Sequence, residues 1–338
     1  MKPRENRVQI VRHLAELPES LRGGALTIGN FDGVHRGHAE LIARLVDKAK
    51  EVGGPALVLT FDPHPVRLLR PAECPPPLTW TERKAELLAD LGVDCVIAYP
   101  TDKALLCLSA EEFFRRIVVE AIGAKAMIEG PNFYFGHNRE GDVQLLADLA
   151  AGAGMSLDVV QPVALDTGGG AEWISSSRIR RLLLTGGKVG LARRMLTSPY
   201  KLRGMITHGA GRGAELGFPT ANLEGIDTLL PAPGVYAAAG WVMGRAWPAA
   251  VNIGSNPTFG ETHPKVEAHL VGLHEPLYGK LIEVDFLERL RDVRPFPSAG
   301  ALVAQIRQDA ASAKNIADAY LDTIGALQAG AGDNKPQD

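Results

Sequence analysis

His35 and His38 stand three residues apart in the string Gly29-Asn30-Phe31-Asp32-Gly33-Val34-His35-Arg36-Gly37-His38. Residues at that spacing on a first helical turn share a face. Two imidazole N–H groups beside the free backbone N–H groups of a helix start form a set of donors suited to phosphate oxygens. Gly33 and Gly37 allow close backbone approach to a ligand. Gly29, Phe31, Asp32, Gly33, His35 and His38 are therefore candidate contacts for a nucleotide. A zinc site is the competing chemistry, but no nearby Cys or carboxylate completes a ligand set at helical spacing. Two surface histidines beside a glycine-rich turn would be the purely structural reading.

Two further strings carry similar chemistry. Ile174-Ser175-Ser176-Ser177-Arg178-Ile179-Arg180 offers hydroxyls at a helix start and a guanidinium one turn on. Ser176, Ser177 and Arg180 are the phosphate candidates there, and an ordinary capped helix with a solvated basic face is the alternative. His208-Gly209-Ala210-Gly211-Arg212-Gly213-Ala214-Glu215-Leu216-Gly217-Phe218-Pro219-Thr220-Ala221-Asn222 places four glycines in ten residues. Backbone N–H groups of such a loop can wrap a polyphosphate, with Gly209, Gly211, Arg212, Gly213 and Pro219 in contact. It is neither a Walker A motif nor a dinucleotide fingerprint, because GK[ST] and the strand–helix context are missing. Thr220 and Asn222 supply hard oxygen donors of the kind that hold Mg²⁺ beside phosphate.

These residues need a scaffold. Apolar runs at Ala25–Ile28, Ala56–Phe61, Cys95–Ala98, Ala126–Ile128 and Leu157–Val160 alternate with helix patterns at Ala39–Lys50, Glu82–Leu91, Glu111–Ile122 and Asp142–Ala151. That alternation predicts an α/β doubly wound parallel sheet with both faces covered. Its carboxyl edge is where the histidine string and the serine string would meet a nucleotide. Ser109 and Glu112 form a capping-box pattern, and Gly92 and Gly123 sit where helices should stop. After Pro199 short strand candidates follow one another: Leu202–His208, Gly234–Ala239, Ala249–Ile253, Lys265–Leu270 and Ile282–Phe286. They predict a smaller antiparallel β-barrel, closed off by a helix from Ser298. The expected division is residues 1–186, residues 187–327, and a polar, disordered tail at 328–338.

Bulk properties narrow the partners. The 338 residues are 46% hydrophobic and 22% charged, with a formal net charge of -3. Such a chain builds two cores and does not advertise nucleic acid or a membrane surface. No run of 18 apolar residues or signal-peptide core occurs, and Cys74, Cys95 and Cys107 fit neither a disulfide framework nor a metal knuckle. The expectation is a cytoplasmic protein, monomeric or weakly homo-oligomeric, acting on small molecules.

The histidine string resembles the HxGH signature of the nucleotidyltransferase superfamily. The longer Thr27–His38 stretch resembles the prokaryotic bifunctional riboflavin kinase/FMN adenylyltransferase family. Thr60-Phe61-Asp62-Pro63-His64-Pro65, Asn132-Phe133-Tyr134-Phe135-Gly136 and the serine string are similar to its next blocks in order, with Ser177 where the family usually has Thr. The glycine-rich loop resembles the flavokinase signature. Pro233–Tyr236, Asn252–Phe259, Val266–Leu270, Leu277–Gly279 and Phe286–Arg291 continue that likeness, which runs over about residues 10–315.

The resemblance implies two activities: ATP-dependent phosphorylation of riboflavin by the C-terminal domain, and adenylylation of FMN to FAD by the N-terminal one. It implies Glu267 as general base, His35, His38 and Arg180 as catalytic groups, and Mg²⁺ as cofactor on Thr220 and Asn222. It places Phe61, Asp62, His64, Asn132, Phe133 and Arg291 on the flavin side, although core packing for the aromatics and a surface salt bridge for Arg291 also fit the local pattern. An enzyme with another nucleotidyl acceptor, or a non-catalytic flavin-binding module, would share parts of the same motifs.

Overall fold

The computed structural model describes residues 8–168, 170–209, 213, 216–254 and 265–330, the side chains of 326–330 excepted. Gly211, Arg212, the Ser255–Phe259 part of one family-like block and residues 331–338 of the expected tail lie outside these. The chain divides into two compact units, Lys2–Arg178 and Ile179–Asp338.

The first unit is a six-stranded sheet: β1 (Gln9–Val11), β2 (Ala25–Ile28), β3 (Ala56–Asp62), β4 (Cys95–Pro100), β5 (Ala126–Glu129) and β6 (Ser156–Val159). The order is β1-β4-β3-β2-β5-β6, and every neighbouring pair is parallel. Its helices are α1 (Arg36–Val52), α2 (Pro65–Leu69), α3 (Thr81–Asp90), α4 (Lys103–Leu106), α5 (Ala110–Phe113) and α6 (Val143–Gly152). Strands covered on both faces must be apolar throughout, and β2 through β5 read that way. Leu57 and Leu59 pack on one core with Leu26, Ile97 and Phe113, while Val58 packs on the other with Ile42, Leu45 and Leu88. The alternation follows from the two-residue pleat.

Local signals set the helix ends. Ser109 Oγ accepts from Glu112 N at 3.1 Å, and the Glu112 carboxylate accepts from Ser109 N at 3.2 Å, which is the expected capping box. The helix it starts widens into a π-helical stretch at Phe114–Ile122 and stops at Gly123, whose φ of 67° is left-handed. Strand β1 and a short hairpin, β7 (Ala164–Asp166) with β8 (Ala171–Trp173), have no counterpart in the sequence reading. Each spans three residues, too few for a period to emerge.

The second unit is a closed antiparallel barrel of β9 (Tyr200–Thr207), β10 (Ala221–Glu224), β11 (Gly234–Val242), β12 (Arg245–Gly254), β13 (Lys265–Leu270) and β14 (Leu281–Arg291), ordered β10-β13-β12-β11-β14-β9. Closure removes free sheet edges. Helix α7 (Ser176–Leu184) crosses the division between the units, which falls after Arg178 rather than after Gly186. The later part of α7 belongs to the second unit because Ile179, Leu182 and Leu183 are buried and Leu183 O accepts from Ala232 N at 2.9 Å. Helix α8 (Val189–Met195) follows, and α9 (Ala299–Gly330) ends the described chain, so residues 328–330 are helical where a disordered tail was expected.

One ion pair ties α9 to the barrel. The Arg291 guanidinium donates to both Asp309 oxygens, Nε at 3.0 Å and Nη2 at 2.8 Å to Oδ2, with the Asp309 side chain only 8% exposed. Removing one partner leaves the other charge half-buried and uncompensated. Asp309→Ala is expected to destabilise the C-terminal unit by about 3 kcal/mol, read as a lower urea midpoint by circular dichroism. An unchanged midpoint would mean the pair contributes nothing.

Candidate active sites

In the first unit β2 ends in a turn with an uncommon backbone. Phe31, Gly33 and Val34 take φ of 45°, 84° and 38°. Left-handed φ at a β-branched residue costs of order 1–3 kcal/mol and persists only where its surroundings impose it. Here the imposing contacts are visible: Phe31 and Val34 are buried at 3% and 0%. The Asp32 carboxylate accepts from Leu78 N at 2.9 Å and Thr79 N at 3.1 Å, and Thr79 Oγ1 accepts from Gly33 N at 3.2 Å. Asp32 was expected among the ATP contacts. Its carboxylate is buried instead in this loop-to-loop clamp, where it shapes the turn.

The turn delivers His35 to the N-cap of α1. His35 Nδ1 accepts from His38 N, and His38 Nδ1 accepts from His35 N, each at 3.3 Å. The two imidazoles thus form the capping box that Ser and Glu usually make. Their rings stack with centroids 3.6 Å apart. A Cβ at Gly37 would come within 3.2 Å of His35 Nδ1 and press on the His35 ring.

An imidazole that accepts at Nδ1 carries its proton on Nε2. Burial pulls His35 down from 6.5 to about 4 despite the nearby Asp32 carboxylate. Burial, reinforced by His35 and Lys84, holds His38 well below its ordinary value. Both rings are therefore neutral near pH 7, and each presents one Nε2–H. They can bind phosphate by hydrogen bonding; neither supplies a positive charge.

The serine string partly departs from expectation. Ser175, not Ser176 or Ser177, caps α7, its Oγ accepting from Arg178 N at 3.2 Å. Ser176 Oγ donates to Asp32 O at 2.8 Å, so its hydrogen holds the turn in place. Ser177 is exposed. Arg180 lies on α7 past the division and is accordingly counted with the second unit.

Lys84 was not foreseen. It sits on the buried face of α3 with Ala85, Leu87 and Leu88. Its Nζ donates to Thr60 Oγ1 at 3.1 Å, and Thr60 Oγ1 donates to Asn30 O at 3.2 Å. Burial lowers the ammonium pKa, opposed by Asp32 and Asp62. The signal available in the sequence was a lysine on the apolar stripe of an amphipathic helix.

Five of the flavin-side candidates, Phe61, Asp62, His64, Asn132 and Phe133, lie in the same unit, and Arg291 lies in the second. Asp62 Oδ2 accepts from Thr81 Oγ1 at 2.8 Å and from Arg12 Nη1 at 3.2 Å. His64 Nδ1 accepts from Val66 N at 3.1 Å and caps α2. Phe61 and Phe133 are partly buried against the core, Phe133 stacks on Phe135 with centroids 5.5 Å apart, and Asn132 is exposed. Gly29 N donates to Leu59 O at 3.0 Å.

In the second unit register does the assembling. Glu267 on β13 is opposite Asn222 on β10 and Asn252 on β12, and Asn222 is also opposite Thr207 on β9. Directly opposed residues share a face, so Thr207, Asn222, Glu267 and Asn252 form one polar row across four strands. Val266, Ala268 and Leu270 turn inward and are buried. Asn252 was quoted in the sequence without a role; only the register shows that it flanks Glu267. Thr207 Oγ1 is buried with no hydrogen-bond partner among the described residues.

A cavity of about 400 Å³ opens beside this row, lined in part by His208, Gly209, Asn222 and Lys265. A Cβ on Gly209 would fall 2.0 Å from Asn222 Nδ2, so any side chain there would displace the Asn222 carboxamide. Gly213 O accepts from Phe218 N at 2.7 Å, and His269 Nδ1 donates to Pro219 O at 2.9 Å, which anchors the segment carrying the exposed Thr220. No group of three or more His, Cys, Asp or Glu able to hold a metal occurs among the described residues. The donor set of hydroxyl, carboxamide and carboxylate oxygens, with one orphaned hydroxyl, nevertheless suits a hard cation that keeps phosphate or water among its ligands. Arg291 is engaged by Asp309, by Asp292 O at 2.9 Å and by the Phe296 ring, so the surface salt bridge of the sequence reading is a partly buried fork.

Two family models match the chain: FAD synthetase over residues 17–178 and riboflavin kinase over residues 196–317. The bifunctional riboflavin kinase/FMN adenylyltransferase of Pseudomonas fluorescens is 36% identical over 92% of this chain and 98% of its own length. The enzyme of the same description from Escherichia coli K12 is 34% identical over 90% of this chain and 95% of its own. A crystal structure described as a macrolide-efflux protein from Streptococcus pneumoniae superposes with a TM-score of 0.79 at 27% identity, covering 91% of this chain and 99% of that one. Among the described residues no helix is long and apolar enough to cross a membrane.

The depressed His35 value has a measurable consequence. A folded-state pKa of about 4 against 6.5 means the unfolded chain takes up a proton that the folded one refuses. The His35 contribution to stability should fall by about 3 kcal/mol as pH drops from about 6.5 to about 4 and level off below. A His35 ring-proton NMR titration is expected to have its midpoint near 4, and a midpoint near 6.5 would contradict the neutral pair.

Proposed function

The chain belongs to the bifunctional riboflavin kinase/FMN adenylyltransferase family, and we propose that its two units carry out consecutive reactions leading from riboflavin to FAD. The C-terminal unit phosphorylates riboflavin with ATP to give FMN. The N-terminal unit transfers AMP from ATP to FMN, giving FAD and pyrophosphate. The observation that carries this reading is the presence, in one chain, of two separate phosphate-suited sites: the neutral Nε2–H pair at the start of α1, and the Thr207–Asn222–Glu267–Asn252 row on the barrel. The slightly acidic balance supports small-molecule substrates over nucleic acid. Work in the cytoplasm as a monomer or weak homo-oligomer is consistent with the same balance.

In the kinase reaction the ribityl 5′-hydroxyl attacks the γ-phosphorus, the bond to ADP breaks, and Glu267 takes the hydroxyl proton. Asn222 and Asn252 flank Glu267 on the neighbouring strands. Thr220 and Asn222 would hold Mg²⁺, which when bound neutralises charge on the phosphates. Gly209, Gly213 and Pro219, together with Gly211 and Arg212, would follow the polyphosphate. Arg291 orders the end of β14 through Asp309 and from there closes over the flavin.

In the adenylyl transfer an oxygen of the FMN phosphate attacks the α-phosphorus of ATP and the bond to pyrophosphate breaks. The nucleophile is already an anion, so the site needs no strong base. Its work is orientation and hydrogen bonding to the developing charge, by the Nε2–H groups of His35 and His38 and the Ser177 hydroxyl, with the Gly29–Gly33 backbone against the nucleotide and the N–H groups of Gly29 and Gly33 themselves taken by Leu59 O and Thr79 Oγ1. Because the histidines are neutral, positive charge falls to Arg180. Phe61, Asp62, His64, Asn132 and Phe133 form the flavin side.

The decisive experiment separates the products of riboflavin, ATP and Mg²⁺ by chromatography, with both FMN and FAD expected. Glu267→Gln is expected to reduce FMN formation by about a hundredfold or more while sparing conversion of supplied FMN to FAD. His38→Ala is expected to do the reverse. Equal loss of both reactions in a folded variant would refute the two-site assignment, and a protein that makes no FAD from FMN and ATP but adenylylates another acceptor would be a different transferase.

A further inference from the structure

The sheet of the first unit parts where its chain order reverses. From β2 the chain runs to β3 and β4 on one side, then returns to β5 and β6 on the other. Ligands of open parallel sheets bind in the crevice at such a point. On the β3 side the pairing of β2 continues to Ile28 opposite Leu59, and Gly29 N reaches Leu59 O. On the β5 side it stops at Leu26 opposite Met127. The N–H of Ile28 therefore points toward β5 with no strand carbonyl to receive it.

Glu129, the last residue of β5, fills the gap. Its side-chain Oε1 accepts from Ile28 N at 2.7 Å. Its own carbonyl accepts from Val160 N at 2.9 Å, so its backbone stays tied to the β6 side while its side chain spans the split. It is 2% exposed, and no ion pair to it occurs among the described residues. Burial raises its carboxyl pKa well above the usual range, which favours the neutral form. A carboxyl group that is buried, with the Ile28 N–H and the Thr27 hydroxyl beside it, is an acceptor at the end of a reach of fixed length.

We propose that Glu129 is a positioning residue for adenylyl transfer: its carboxyl replaces the missing backbone rung at Ile28 and so sets the place of the Gly29–Val34 turn that presents His35 and His38. Ile28 is one residue before that turn. An unpaired, buried N–H there would be costly, and the strand end would shift to find water or another acceptor. Small displacements of a phosphate-orienting group translate into large rate losses. The inference rests on the assignment of adenylyl transfer to this unit.

Four variants test it in the full chain, with riboflavin phosphorylation as the internal control. Glu129→Gln keeps both reach and acceptor, and FAD formation from FMN is expected within about twofold of the parent. Glu129→Asp keeps the carboxyl but falls one methylene short, and Glu129→Ala and Glu129→Val remove the acceptor. These three should lower the kcat of FAD formation about tenfold or more, with riboflavin phosphorylation unchanged. The ranking of Gln above Asp distinguishes a fixed-length acceptor from a carboxyl acting through its proton or charge. Asp equal to or better than Gln, or full activity in Ala, overturns the proposal, and the Gln–Asp comparison stands even where the Ala or Val variant does not fold. A parent protein that makes no FAD from FMN would refute the adenylyltransferase reading itself, and this inference with it.

Discussion

A buried backbone N–H must find an acceptor, and at the carboxyl edge of a parallel sheet the ladder that supplies acceptors comes to an end. The N-terminal site is built on that constraint. Ile28 N is received by Glu129, Gly29 N by Leu59 O, Gly33 N by Thr79 Oγ1, and the His38 N–H in the first turn of α1 by the His35 ring. Each acceptor comes from a different part of the chain. Together they hold three residues at left-handed φ in a turn that would not keep that shape alone.

The same requirement explains why the histidines act as neutral donors. A ring nitrogen that accepts from the backbone is committed, and burial makes a second proton unfavourable. What remains exposed to a ligand is a single N–H on each ring, fixed in direction by the cap. Such a site is electrostatically quiet until charged phosphate arrives, and it then needs no reorganisation. Positive charge is kept apart, in a buried Lys84 that supports Asn30 through Thr60 and in the arginines of α7.

The barrel solves its problem by another route. Closure satisfies the backbone, so strand register alone decides which polar side chains stand together on its surface. Strand pairing places Glu267 between Asn222 and Asn252 although 45 residues separate Asn222 from Glu267 in the chain. The glycine at 209 leaves room for the close approach of the Asn222 carboxamide, which links the loop to the row. The C-terminal helix is fastened to this barrel by the Arg291–Asp309 fork, which fixes the guanidinium at the end of β14.

Much of the fold was legible because its signals are local. Strands β2 to β5 are buried on both faces and read as apolar runs, helices stop at Gly92 and Gly123, and the barrel strands stand between turn residues. Strand β10 was hidden inside the glycine-rich string, and β1 was too short for a pattern. The histidine spacing, the serine run and the oxygen donors around Thr220 were likewise visible, since residue type and spacing alone define what chemistry they permit. Protonation and partnership were not visible. That Asp32 and Ser176 are spent on holding the turn, that Ser175 is the cap, that Lys84 and Glu129 lie beneath the site and that Asn252 flanks Glu267 all depend on residues far away in the chain. Desolvation and long-range hydrogen bonds arise only when the sheet and barrel close. The sequence by itself determined which groups could meet a phosphate; the tertiary structure decided which remain free to do so, because a buried polar group must first satisfy its neighbours.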